Sequence, residues 1–222
     1  MRKKKLDIIY EDKEILVVNK PSGLLTVSTS KEKEKTLFHE VANYIKKSNP
    51  KAKVFIVNRL DKDTSGIVLF AKNQDIKYMY QNMWDKLSIR NYVAIVKGNL
   101  EKKKGTIKSY LKETKTLLVY SSNDKKDGKL SITNYSVIKE NKKYSMLNIE
   151  IKTGRKNQIR VHLNDINHPI LGDKKYGNIK SPINRLMLHA NKLTIINPKN
   201  NRKMEFISNI PKNFDILFNK DK

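Results

Sequence analysis

The sequence predicts an α+β fold, a mostly antiparallel mixed β-sheet flanked by helices and loops, and three observations predict it. Short apolar runs rich in β-branched residues recur along the 222 residues, among them Ile15-Leu16-Val17-Val18, Val54-Phe55-Ile56-Val57, Ile67-Val68-Leu69-Phe70 and Tyr92-Val93-Ala94-Ile95-Val96. Each has the length and composition of a buried strand. Helical spacing is confined to a few stretches scattered between these runs, with no regular strand–helix alternation. No internal repeat and no long linker divides the chain, so residues 1–222 are expected to form a single domain.

Taken in order, residues 6–10 and 14–18 read as strands joined by the turn Glu11-Asp12-Lys13. Lys20-Pro21-Ser22-Gly23 is a tight turn, and 28–35 is a polar loop. Thr36 to Ser48 carries Leu37, Val41 and Ile45 on one helical face and is stopped by Asn49-Pro50. Asp75 to Leu87 is expected to be one helix with the core stripe Ile76, Tyr80, Met83 and Leu87, and with Trp84 beside it. Residues 101–104 and 123–129 are charged connectors, and strand-like runs lie near 106–111, 116–121, 131–138 and 144–152. A third helix follows Gly154, with Asn157 as its expected cap and Ile159, Leu163 and Ile166 as its core face. Residues 186–196 and 203–207 return to strand, and 211–219 form an expected closing helix with Pro211 in its first turn.

Charge narrows the class of partner. Lys+Arg is 47 against Asp+Glu 22, a formal net charge of +25, while hydrophobic residues are 38% of the chain. Solubility does not require so large a charge, and self-repulsion opposes compaction, so a polyanionic partner is expected, with nucleic acid first. No basic amphipathic helix suits a membrane surface, and no run approaches the roughly 18 apolar residues of a membrane span. The start, Met1 to Asp7, lacks the apolar run of a signal peptide. There is no cysteine, which excludes disulfides, thiolate metal sites and cysteine nucleophiles and suits a reducing cytoplasm. Only seven of the basic residues are Arg, and four of them (Arg59, Arg155, Arg160 and Arg185) fall in the segments below, where a planar bidentate donor has a use.

The most informative segment is Asn58-Arg59-Leu60-Asp61-Lys62-Asp63-Thr64-Ser65-Gly66, a charged loop between two buried strands. Such a loop presents side chains at a sheet edge with rigid backbone behind them. Asp61 can act as a nucleophile or base if it is kept ionised and held still, and a guanidinium does both. Arg160, on the helix after Gly154, is the candidate partner. The segment Thr153-Gly154-Arg155-Lys156-Asn157-Gln158-Ile159-Arg160-Val161-His162 is a glycine turn into a helix start rich in basic residues, an arrangement that can receive phosphate. His162, His168 and His189 lack metal-ligand spacing, so no metal is expected. There is no glycine-rich nucleotide loop, and a serine triad cannot be assembled.

These residues resemble the RluA-type pseudouridine synthases. That family's His-Arg-Leu-Asp-x-x-Thr-Ser-Gly motif is matched by 58–66, with Asn58 in the place of its His. Lys20-Pro21-Ser22-Gly23 is similar to its Lys-Pro-x-Gly loop, Arg90-Asn91-Tyr92 to its Lys/Arg-x-Tyr strand, and 153–163 to its Thr-Gly-Arg-x-x-Gln-x-Arg-x-His segment. His168-Pro169-Ile170-Leu171-Gly172-Asp173, Tyr176-Gly177 and Leu188-His189-Ala190 complete the series. The resemblance runs in order over about residues 14 to 207, and the family's frequent N-terminal S4 domain is expected to be absent. It implies a pseudouridine synthase fold with a central catalytic cleft. It also implies conversion of specific uridines to pseudouridine in structured rRNA or tRNA, with no cofactor. Asp61 corresponds to the catalytic aspartate, Arg160 to its pairing arginine, and Tyr92 to the tyrosine that stacks on the target base. Arg59 fills the space that the flipped base vacates, and Lys20, Arg155 and Lys156 are candidate phosphate contacts. Asn58 is expected on the opposite strand face from Arg59, as a hydrogen-bonding scaffold.

Two other readings compete. A non-catalytic RNA-binding or ribosome-assembly factor accounts equally for the charge, but binding alone gives no reason for Asp61 among the cations. A glycosidase wants paired acids, and Asp63 is expected to be engaged in the turn. The expected protein is a cytoplasmic, monomeric enzyme acting on RNA.

Overall fold

In the computed structural model, described here for residues 6–126 and 128–218, the chain forms two compact units. The charged N-terminus before residue 6, position 127 of the 123–129 connector and position 219 of the expected closing helix lie outside the described residues. The fold is a mixed, mostly antiparallel sheet with few helices, as the strand-rich pattern implied.

The described residues of the first unit are 6–88 and 190–208. It holds β1 (Ile8–Glu11), β2 (Ile15–Lys20), α1 (Leu37–Ser48), β3 (Phe55–Ile56), β4 (Ser65–Ala71), α2 (Gln74–Asn82) and α3 (Trp84–Leu87). The strand order β1-β2-β4-β10 adds most of β10 (Leu188–Ile196), with β11 (Lys203–Ile207) paired to β10 and β3 to β4. β4 is buried at all seven positions, which is why its sequence from Ile67 to Ala71 is continuously apolar. Ile15, Val17, Ile67, Leu69, Ile76, Tyr80 and Phe206 form the core of this unit. Thr36 caps α1, its side chain accepting the amide of His39 at 3.2 Å.

Two expectations for this unit are corrected. The helix expected over 75–87 is broken at Met83 (φ −123°), and Met83 is 45% exposed. The break resets the helical phase, so Trp84 packs on the core in place of Met83. The strand expected over 54–57 shrinks to Phe55–Ile56, because the amide of Leu69 on β4 donates to the side chain of Asn58 at 2.7 Å.

The described residues of the second unit are 89–126, 128–189 and 209–218. Its sheet order is β5 (Ser88–Lys97), β9 (Tyr144–Ile151), β8 (Lys129–Glu140), β6 (Lys104–Glu113) and β7 (Val119–Ser122), antiparallel at each step. The strand-like runs expected near 106–111 and 116–121 are β6 and β7. α4 (Gln158–Asp165) lies against one face of this sheet, and α5 (Lys212–Asp215) is shorter than the closing helix expected. α4 is short and buried from Gln158 to Leu163, so its polar residues must find partners inside the protein.

Candidate active site

The turn carrying Asp61 is braced from below by the Lys-Pro loop. Carbonyl oxygens of three motif residues flanking Asp61 are met by that loop. Thr26 Oγ1 donates to Leu60 O at 2.7 Å, Gly23 N to Lys62 O at 2.9 Å, and Ser22 Oγ to Asp63 O at 2.6 Å. Thr26 Oγ1 also accepts the amide of Leu60, and Thr64 N closes the turn onto Asp61 O at 3.2 Å. Behind the turn Gly66 has φ +117°, and a Cβ there would lie 2.2 Å from Ala190 O, so only glycine lets β4 approach β10. The result is a rigid backbone with Asp61 half-buried and Arg59 exposed.

Lys20 is corrected. Expected to meet phosphate, it is fully buried, and its Nζ donates to three backbone carbonyls: Pro21 at 3.0 Å, Leu24 at 2.7 Å and Lys62 at 2.9 Å. An ammonium with all three donors committed inside the protein ties the Lys-Pro loop to the Asp61 turn and does not face a ligand. Asn58 has the scaffold geometry expected of it: its Oδ1 replaces a ladder acceptor for Leu69.

In the second unit Tyr92 sits on β5 opposite Ile149 of β9 and is 9% exposed. Arg160 is buried. Its Nε and Nη2 grip Asp173 at 2.8 and 2.7 Å in a bidentate pair, Nη1 donates to Asn157 Oδ1 at 3.2 Å, and the guanidinium stacks 5.1 Å from the Tyr176 ring. Tyr176 Oη in turn accepts from Asn157 Nδ2 at 3.0 Å. The cap expected of Asn157 is therefore absent: the residue has φ 55°, and its amide serves Arg160 and Tyr176. Gln158 does the local bracing. Its Oε1 accepts from Thr153 Oγ1 and Arg155 N, while its Nε2 donates to Ile132 O and Thr133 Oγ1. Because Asn157 and Gln158 are buried, the start of α4 is not open as an anion site. Arg155 and Lys156 are exposed, with Lys156 ion-paired to Glu113.

Sequence reasoning missed two members of these networks. Arg90 is buried, donates to Lys152 O at 3.2 Å, and lies where a Cβ on Gly154 would meet its Nη1 at 2.7 Å. Its place in the Arg90-Asn91-Tyr92 motif was the available signal. Asp173, the acid that orients Arg160, was visible only as part of a loop motif. His162 is buried between Thr133 Oγ1 (2.9 Å) and Ser109 Oγ (3.0 Å), and burial pushes its pKa down to about 4. Among the described residues no group of three metal-ligating side chains occurs, and no helix is long and apolar enough to cross a membrane.

A family model described as RNA pseudouridylate synthase matches residues 14–165. The chain is 38% identical over 218 residues to ribosomal large subunit pseudouridine synthase D of Borreliella burgdorferi, covering 95% of this chain and 67% of that protein. It is 32% identical over 234 residues to tRNA pseudouridine synthase C of Haemophilus ducreyi, covering 96% of this chain and 95% of that protein. In fold it matches human RNA pseudouridylate synthase domain containing 4, with TM-score 0.79 at 21% identity over 94% of this chain and 90% of that one. The chain belongs to the RluA-type RNA pseudouridine synthase family, isomerases that act on uridine in RNA.

Proposed function

We propose that the chain acts as one catalytic domain, a cytoplasmic monomer that flips specific uridines out of structured rRNA or tRNA and isomerises them at Asp61. The observation that carries this reading is the brace beneath Asp61, where three motif carbonyls are held by the Lys-Pro loop. A merely RNA-binding surface has no use for a carboxylate carried among cations on so firmly held a turn.

Pseudouridine formation breaks the uridine N1–C1′ bond, turns the base and rejoins C1′ to C5. The C5 hydrogen leaves, N1 is protonated, and no electrons are exchanged. Neither cofactor nor energy input is needed, and a positioned carboxylate is sufficient as nucleophile or base. In this reading Tyr92 stacks on the target base, because a phenol with pKa about 10 is a weak base at neutral pH. Arg160, oriented by Asp173, takes the role of the family's aspartate-pairing arginine. Arg59, exposed and two residues before Asp61, occupies the gap left by the flipped base. Arg155 and Lys156 contact phosphates. The relatives named for ribosomal and transfer RNA support both substrate classes.

The test is release of tritium from C5-labelled uridine in total rRNA and, separately, total tRNA at stoichiometric protein. Release from one of the two identifies the substrate class, and release from neither refutes the enzymatic reading.

A further inference from the structure

In the second unit's sheet, alternate residues face α4. Ser109 and Thr133 bond His162 of α4, and Ser121 bonds Asp165, so odd-numbered positions of β6 and β7 point to that side. Thr133 pairs across to Ile151, and Tyr135 to Ile149, the partner of Tyr92, so Tyr92 shares the α4 face. The even-numbered residues of β6 therefore point the other way, and Lys104 and Lys108 are exposed there.

That outer face has a definite composition. Along β6 it reads Lys104, Thr106, Lys108, Tyr110, Lys112, with same-face neighbours about 7 Å apart. Tyr120, 41% exposed, stands opposite Lys112 and diagonal to Tyr110 on the outermost strand, and Asn134 sits beside Thr106 on β8. Among the described residues Lys104 and Lys108 have no acidic partner, and the acid that shares this face, Glu150, is paired with Lys152. Polar stacking rings between cations on an open antiparallel sheet are the chemistry that holds an unpaired nucleic-acid strand: ammonium groups for phosphates, ring faces for bases.

We propose that this outer face, on the side of the sheet opposite Tyr92, is a second RNA-docking track that holds an unpaired strand of the substrate. The inference rests on the chain's RNA substrate but not on Asp61 chemistry, so it is tested by binding alone. The probes are a fluorescein-labelled stem-loop with a single-stranded tail and the same stem-loop without the tail.

For the tailed probe, Lys104→Gln/Lys108→Gln is expected to reduce the slope of log K against log salt by about 1.4, near 0.7 per single-strand phosphate lost. Tyr120→Ala is expected to weaken tailed binding by roughly 5- to 100-fold while leaving the tail-less probe within about 2-fold. The control pair Lys46→Gln/Lys47→Gln, on α1, leaves the slope unchanged. An equal fall in the control pair, or an unchanged slope in the test pair, means diffuse charge alone and overturns the proposal. Equal effects of Tyr120→Ala on both probes overturn the unpaired-strand assignment. Matching urea midpoints establish that each variant is folded, and tritium release by the wild type tests the catalytic reading separately.

Discussion

Lys20 Nζ donates to the backbone carbonyl of Lys62 at 2.9 Å, joining the end of β2 to the residue that follows Asp61. The ammonium also donates to the carbonyls of Pro21 and Leu24, so removing it leaves a buried polar pocket without its donor. Lys20→Met is expected to cost about 1–3 kcal/mol in urea unfolding. It should lower kcat for RNA while KM stays within about 2-fold, because the side chain does not reach the surface. Lys20→Arg should not restore kcat, since a planar fork cannot aim at three carbonyls that converge on one nitrogen. A raised KM with unchanged kcat would return Lys20 to the phosphate role first expected of it.

Asn58 makes the departure from the family motif understandable. What the position supplies is an acceptor for the Leu69 amide, and Leu69 is fully buried. Asn58→Leu leaves that amide without its acceptor and should destabilise by about 1–3 kcal/mol. Asn58→His keeps an acceptor and should leave turnover near wild type, with no new kinetic pKa near 6.5. A large gain in turnover with such a pKa would make the position an acid or base.

Gly66 should not tolerate even one methyl group. The added Cβ would meet the backbone of Ala190 at 2.2 Å, and φ is +117°. Gly66→Ala is expected to lose at least about 2 kcal/mol by thermal or urea unfolding. An unchanged midpoint would show that β4 and β10 can separate without cost.

His162 predicts a pH dependence of stability. Its folded pKa of about 4 lies below the unfolded value of 6.5, so the unfolded chain binds the extra proton between these limits. Its contribution is fully present above about pH 6.5 and is lost as pH falls toward 4, amounting to roughly 2 kcal/mol between pH 7 and pH 5. His162→Gln should remove that part of the dependence in urea titrations at the two pH values. An identical loss in both proteins would assign it to other groups.

Much of this was legible in the chain, for physical reasons that differ by segment. Ile67–Phe70 and Tyr92–Val96 are buried on both faces, so composition alone marks them as strands. α1 declares itself through Thr36 and an amphipathic stripe. The failures are tertiary. Nothing local says that Met83 breaks a helix so that Trp84 can reach the core, or that Asn58 takes the amide which would have extended β3. Lys20 looks like a phosphate contact because lysine is usually exposed; three carbonyls contributed by two different loops bury it. Asn157 looks like a helix cap, but the buried guanidinium of Arg160 competes for its oxygen and wins. Asp173 is thirteen residues from Arg160 across a loop, beyond any helical spacing.

The central claim, isomerisation at Asp61, is tested most directly by single-turnover tritium release from C5-labelled RNA by the wild type and by Asp61→Asn. The account predicts rapid release by the wild type and none above background for the variant. Asp61→Asn should still bind the same RNA at least as tightly, because a negative charge facing phosphates is removed, and with the same steep salt dependence. Wild-type rates from Asp61→Asn would contradict it.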